Sequence, residues 1–253
     1  MSYQRYVALG DSFTEGVGDH DDTRPHGVRG WADRVAEVLG AASPDFGYAN
    51  LAIRGRLLRP ILAEQLDPAL ALRPDLVTIY AGANDILRPR VDLDDLLATY
   101  EDALARLRGA GAHLVVWTAF DPGGSATFGA LRGRFAIYSE GVRELADRHD
   151  ATLVDFWRLR EYRDWRYWDT DRMHMSSAGH ARMAIEVLDR LGVPHPLPAP
   201  TLVDRPPVSR GQALRTNLAW VRDDAVPWVH RRLIGRSSGD GLSPRYPVLT
   251  HLG

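Results

Sequence analysis

Short apolar runs alternate with longer amphipathic stretches along most of the chain, the pattern expected of βαβ units wound around a parallel sheet. Arg5–Leu9, Tyr48–Ala52, Leu76–Tyr80, His113–Ala119 and Thr152–Asp155 are each too short for a helix, and several are rich in Val, Ile or Tyr. Strands are predicted there. Trp31–Leu39, Leu57–Leu72, Leu93–Arg108, Gly133–His149 and Ala178–Leu191 are the predicted helices. The third is the clearest. Leu93, Leu96, Leu97, Tyr100, Leu104 and Leu107 recur at three- and four-residue steps, and Gly109 and Gly111 end the stripe they form. Parallel neighbours need crossovers of this length, and such crossovers are almost always right-handed. The expected class is α/β, with a central parallel five-stranded sheet.

The pattern breaks at Val193–Pro200, "VPHPLPAP", where the density of proline excludes a continuing helix or a central strand. Beyond it Leu214, Leu218, Val221, Ala225, Trp228 and Val229 return to helical spacing. Pro227 is expected to split that segment into two short helices, as an early residue of the second. From Gly235 onward Gly, Ser and Pro predict an extended arm. The organisation expected is a main domain over residues 1–192, a Pro-rich linker over 193–208, and a C-terminal helical extension with its tail over 209–253.

Composition narrows the chemistry. The 253 residues carry a formal net charge of −2, which gives no global reason to expect nucleic acid or an anionic membrane surface. All 31 basic residues are arginine, read as a codon bias, because no function would purge every lysine. Cysteine is absent, which excludes disulfides, thiolate metal sites and cysteine nucleophiles. The first residues do not read as a signal peptide, and no stretch approaches the roughly 18 apolar residues that span a bilayer, so a cytoplasmic location is the default expectation.

In an open α/β sheet, ligands bind beyond the carboxyl ends of the strands. The first predicted strand runs into "GDSFTEG" at Gly10–Gly16, the second into "NLAIRG" at Asn50–Gly55, and the third into "GAND" at Gly82–Asp85. "DTDRMHMSSAGH", Asp169–His180, precedes the last helix of the main domain. A serine hydroxyl attacks poorly at neutral pH unless an imidazole takes its proton, and that imidazole needs a carboxylate to fix its tautomer. The alkoxide that develops needs donors already in place. Ser12, Gly55, Asn84 and His174 can supply these parts if their loops share one rim.

These four blocks, in this order, resemble those of the SGNH (GDSL-type) hydrolase family over about residues 5–192. The resemblance implies a flavodoxin-like three-layer α/β/α fold and a serine esterase that needs no metal or other cofactor. It also implies roles. Ser12 is the expected nucleophile, His174 the base and Asp171 its orienting acid, with Ser12, Gly55 and Asn84 forming the oxyanion hole. Phe13 stands where the family's nickname has leucine.

Bland readings compete at several positions. Asp11 is expected to brace its loop rather than join the proton transfer. Asp169 rivals Asp171, but the three-residue spacing to His174 favours Asp171. His180 reads as a structural hydrogen-bonder. Gly18–His26, "GDHDDTRPH", suggests a metal site, but its histidine spacing matches no dependable ligand pattern, so a solvated rim loop is preferred. Trp157–Asp169 interleaves aromatics with arginine and is read as a pocket wall rather than a nucleic-acid surface. The C-terminal helices are expected to cover the domain, with a contact between copies of the chain or a membrane-surface anchor as their other uses. The expected partner is a small-molecule ester. Acyl transfer, thioesterase or lysophospholipase activity on the same site, and a non-catalytic binding module, are the alternatives.

Overall fold

The computed structural model describes residues 3–125, 128–204 and 209–252. Strands β1 (Arg5–Gly10), β2 (Gly47–Asn50), β3 (Leu76–Tyr80), β4 (His113–Trp117) and β5 (Thr152–Val154) form on the short apolar runs and pair in parallel. A sixth strand, β6 (Tyr246–Thr250), adds antiparallel to β2, so the order is β5–β4–β3–β1–β2–β6. β1 thus has β2 on one side and β3 on the other, and the chain reverses its direction of winding across it. That junction is the switch point at which such sheets bind ligands.

Alternation along β1 builds the layers. Val7 and Leu9 point into a core shared with Leu58, Leu104 and Val142, whereas Tyr6 and Ala8 point into one shared with Trp31, Val35 and Val187. Helix α1 (Gly30–Ala41) covers the second face together with α5 (Ser177–Arg190). The first face is covered by α2 (58–71), α3 (Leu93–Gly109) and α4 (Arg132–Arg148). α2 is a single helix interrupted by a π turn, running Leu58–Ile61, Leu62–Leu66 and Asp67–Ala71. Its irregular turn carries the buried Gln65, whose Nε2 donates to Gly10 O at 2.9 Å while its Oε1 accepts from Gly10 N at 2.9 Å. π turns often mark a functional position, and this one clamps both peptide groups of the residue that ends β1.

Two parts of the C-terminal segment depart from expectation. The helices do not separate at Pro227. α6 continues from Arg210–Trp220 through a π turn at Val221–Ala225 into Val226–Leu233, and Pro227 is the second residue of that last stretch, just past the irregular turn. The tail is no loose arm. Its last strand is β6, anchored by Arg245, whose side chain is 0% exposed and pairs with the equally buried Asp33 at 2.7 Å. The same guanidinium donates to the carbonyls of Glu15, Val28, Arg29 and Pro25. Hydrophobic periodicity carries no sign of such an anchor, because its partners are backbone carbonyls and one carboxylate far away in sequence. Residues 193–204 of the expected linker hold no helix or strand, and 205–208 lie outside the described residues. Among the described residues no helix is long and apolar enough to cross a membrane.

Candidate active site

Ser12 stands at the carboxyl end of β1. Gly10 makes the turn possible: its φ is 146°, and a Cβ there would lie 2.6 Å from Tyr80 O. Asp11 then caps a single helical turn, Ser12–Glu15, by accepting from Phe13 N at 3.0 Å. Ser12 is therefore the first residue of a helical turn, with its own N–H among the unpaired donors at that end. Beyond β2, Gly55 takes a φ of 75° in a tight turn. Beyond β3, Asn84 rides on a second one-turn helix, Ala83–Ile86, entered through Gly82. His174 lies in the loop that ends at the start of α5, where Ser176 Oγ caps Gly179 N at 3.3 Å.

The structure brings all these residues to one cavity of about 320 Å³, lined by Ser12, Gly55, Asn84, Asp171 and His174. Its apolar wall includes Phe120, Phe135, Phe156 and Trp168. Gly18 shows how closely the first and last blocks meet, because a Cβ there would lie 2.1 Å from Met175 O and 3.3 Å from His174 Cβ.

Asp171 engages its histidine through both carboxylate oxygens. Oδ2 lies 2.5 Å from His174 Nδ1, and Oδ1 accepts from the backbone N–H groups of Met173 and His174 at 2.9 Å each. Burial alone would raise the Asp171 carboxyl, but the hydrogen bond and charge of His174 and those two amides bring it down to about 2. The carboxylate is thus ionised and directional. Its rival Asp169 turns elsewhere, with Oδ2 3.8 Å from His20 Nε2. With Nδ1 committed to Asp171, Nε2 is the ring nitrogen left to serve a serine.

Asn84 is held more firmly than its expected role suggests. Its Nδ2 donates to Asp11 Oδ2 at 2.8 Å and to Arg56 O at 3.2 Å, so both amide hydrogens have partners within the protein. Asp11 therefore braces two elements at once, the Ser12 turn and Asn84. Burial pushes its carboxyl up to about 7, moderated by the Phe13 N–H and the nearby His174 charge.

Glu15 and Arg54 were not singled out by sequence reasoning. Glu15 is fully buried beneath the Ser12 turn and receives Arg54 N at 2.6 Å, Arg54 Nη2 at 2.6 Å and His26 Nδ1 at 3.1 Å. It ties the first block to the residue before Gly55. An acid in "GDSFTEG" and a base in "NLAIRG" were the available signal. Trp228 and Asp224 of α6 also line the cavity, which makes the C-terminal segment part of its wall.

The remaining motifs are used structurally. His180 accepts from Trp31 N at 3.2 Å through Nδ1 and donates to Val17 O at 3.1 Å through Nε2, and burial lowers its ring to about 4. In the 18–26 loop, Asp19 pairs with Arg34 at 2.7 Å, and His26 joins Glu15. The 157–169 segment forms successive 3₁₀ turns, and its Arg160 and Arg163 converge with Arg132 on Asp121.

Residues 8–182 match the GDSL-like Lipase/Acylhydrolase family, so the chain belongs to that family of SGNH-type carboxylic ester hydrolases. It is 26% identical over 215 residues to an acetylxylan esterase of Geobacillus stearothermophilus, a match covering 76% of this chain and 95% of the relative. The crystal structure of Axe2, an acetylxylan esterase from the same organism, is similar with a TM-score of 0.62 at 23% identity, over 76% of this chain and 95% of that one. LAE5, an α/β hydrolase enzyme from the metagenome of Lake Arreo, Spain, is similar with a TM-score of 0.61 at 24% identity, over 75% and 95%.

Proposed function

We propose that the chain is a serine esterase that removes short acyl groups, O-acetyl groups foremost, from a small or glycosidic alcohol through an acyl-enzyme on Ser12. The observation that carries this reading is the 2.5 Å Asp171–His174 pair in the cavity that Ser12 also lines. Ser12 Oγ attacks the ester carbonyl carbon as its proton passes to His174 Nε2, and Asp171 stabilises the imidazolium. The tetrahedral oxyanion lies against Ser12 N–H, Gly55 N–H and Asn84 Nδ2. For Asn84 to donate, one of its two internal bonds must be exchanged, and the longer one, to Arg56 O at 3.2 Å, is the one to give way. Collapse of the intermediate breaks the C–O bond of the leaving alcohol, which takes the proton from His174. A water deprotonated by His174 then attacks the acyl group and releases Ser12.

Two further observations favour acetyl-sized groups. A cavity of about 320 Å³ is near the lower end of the range for small-molecule sites, which suits a short acyl group. The relative named above is an acetylxylan esterase, and its catalytic mutants are substituted at a serine and at an aspartate and histidine three residues apart. Asp171 and His174 have that spacing. The test is Ser12→Ala against p-nitrophenyl acetate, alongside a chain-length series of p-nitrophenyl esters and acetylated sugars. Turnover should vanish while the melting transition persists, and the parent should favour acetate. Undiminished turnover in Ser12→Ala would refute the assignment.

A further inference from the structure

We propose that Trp220 and Asn217 of α6 are positioning residues for the Asp171–His174 pair and act by holding the backbone between them. This rests on the catalytic reading above and adds to it a part of the chain beyond residue 182, where the family match ends. The point of leverage is Arg172, the residue after Asp171. Its φ is 58°, in the left-handed region that residues other than glycine seldom adopt without support. The loop needs that conformation. With it, Arg172 N donates to Asp169 O at 3.0 Å, Asp169 N donates to His174 O at 2.8 Å, and the Met173 and His174 amides both reach Asp171 Oδ1.

The support comes from α6. The Arg172 guanidinium lies over the Trp220 ring, 5.0 Å from its centroid, and its Nη2 donates to Asn217 Oδ1 at 2.7 Å. Trp220 also donates through Nε1 to the backbone carbonyl of Asp171 at 2.8 Å. One indole therefore grips the residues on both sides of the Asp171–Arg172 peptide. The Arg210–Trp220 stretch buries none of its own residues, so it contributes no core of its own. Its contact with the main domain falls on the loop that aims the catalytic carboxylate. If Arg172 relaxed to a right-handed φ, the Asp171 carboxylate would turn away from Nδ1, and a misalignment of about 1 Å at a proton-transfer group slows turnover without weakening substrate binding.

The test uses the full chain with p-nitrophenyl acetate and compares the parent, Trp220→Ala, Trp220→Phe, Asn217→Ala, Arg172→Gly and the Trp220→Ala/Arg172→Gly double variant. Trp220→Ala should lower kcat on the order of tenfold or more, with KM changed by less than about twofold. Trp220→Phe, which keeps the ring under Arg172 but loses the N–H, should lose less. Glycine takes a left-handed φ without help, so Arg172→Gly in the Trp220→Ala background should recover much of the lost kcat. A merely structural tryptophan would not be rescued in this way. If Trp220→Ala proves unstable, Asn217→Ala with and without Arg172→Gly gives the same comparison. A kcat in Trp220→Ala within about twofold of the parent, or a loss that Arg172→Gly leaves untouched, overturns the proposal. Ser12→Ala and His174→Ala in the same series separate the two claims, because retained turnover there would overturn the catalytic reading itself.

Discussion

Replacing Arg245 by methionine, which keeps much of its length, removes the guanidinium that closes the tail onto the Ser12 turn. What it leaves behind sets the cost. Asp33 stays fully buried, and burial already raises its carboxyl to about 6 even with Arg245 and the Tyr48 hydroxyl stabilising the charge. Without Arg245 the carboxyl rises further. Above pH 6 the parent ionises Asp33, whereas the variant must either bury an unpaired charge or keep the proton. Keeping it costs about 1.4 kcal/mol per pH unit, so at pH 8, two units above the parent's folded value, the variant loses roughly 3 kcal/mol from this source alone. The sign follows from linkage. A carboxyl with a raised folded pKa makes the protein less stable as pH climbs from the ordinary carboxylate value to the folded one, and in the variant the decline continues past 6. At pH 5 both proteins hold the proton and this difference disappears. The four carbonyls left without their donor each add up to ~1–3 kcal/mol, at either pH. Urea unfolding should therefore give a loss about 3 kcal/mol larger at pH 8 than at pH 5. A loss below about 1 kcal/mol at pH 8, or an equal loss at both pH values, would refute the reasoning.

Other outcomes follow from the site. Asp171→Asn should lower kcat by about two to four orders of magnitude in a steady-state assay. The amide cannot stabilise the imidazolium as the carboxylate does, and the upper figure includes a reversed tautomer. Asp11→Asn should lower kcat about tenfold with little change in KM, because the carboxyl oxygen that accepts from Asn84 Nδ2 is exchanged for an amide; an unchanged kcat would mean Asn84 is oriented by Arg56 O alone. Gly55→Ala should lower thermal stability and turnover together, since its φ of 75° is strained for alanine and a Cβ would lie 2.4 Å from Ser237 Oγ.

Elements carried by local periodicity could be read from the sequence closely. The stripe from Leu93 to Leu107 gives α3 its length, and the run Leu76–Tyr80 is a strand with the same bounds. The residues at the carboxyl ends of β1, β2 and β3 could be found because each lies just past an apolar run, next to a glycine or a turn. What escaped detection depends on contacts distant in sequence. The sixth strand has no periodicity beyond its neighbours', and it exists because β2 offers an unpaired edge and Arg245 finds four carbonyls far upstream. The π turn at Leu62–Leu66 departs from a 3.6-residue pattern: the buried apolar step from Ile61 to Leu66 is five residues, and Gln65 takes the inward position against Gly10. The engagement of Asn84 by Asp11 follows the same rule, since two short polar residues 73 apart in sequence give no local sign of meeting.

Arg245 also has a consequence for how the protein comes to exist. A ribosome that has made the chain only as far as α5 has supplied Ser12, Asp171 and His174, but neither the guanidinium that gathers Glu15, Val28 and Arg29 nor the strand that closes the sheet's edge. Until Arg245 and β6 are translated, Asp33 lacks its Arg245 partner and β2 offers an open ladder to whatever passes. The nascent domain is therefore exposed until Arg245 and β6 have emerged, and its maturation waits on that segment rather than on the emergence of the proposed catalytic residues.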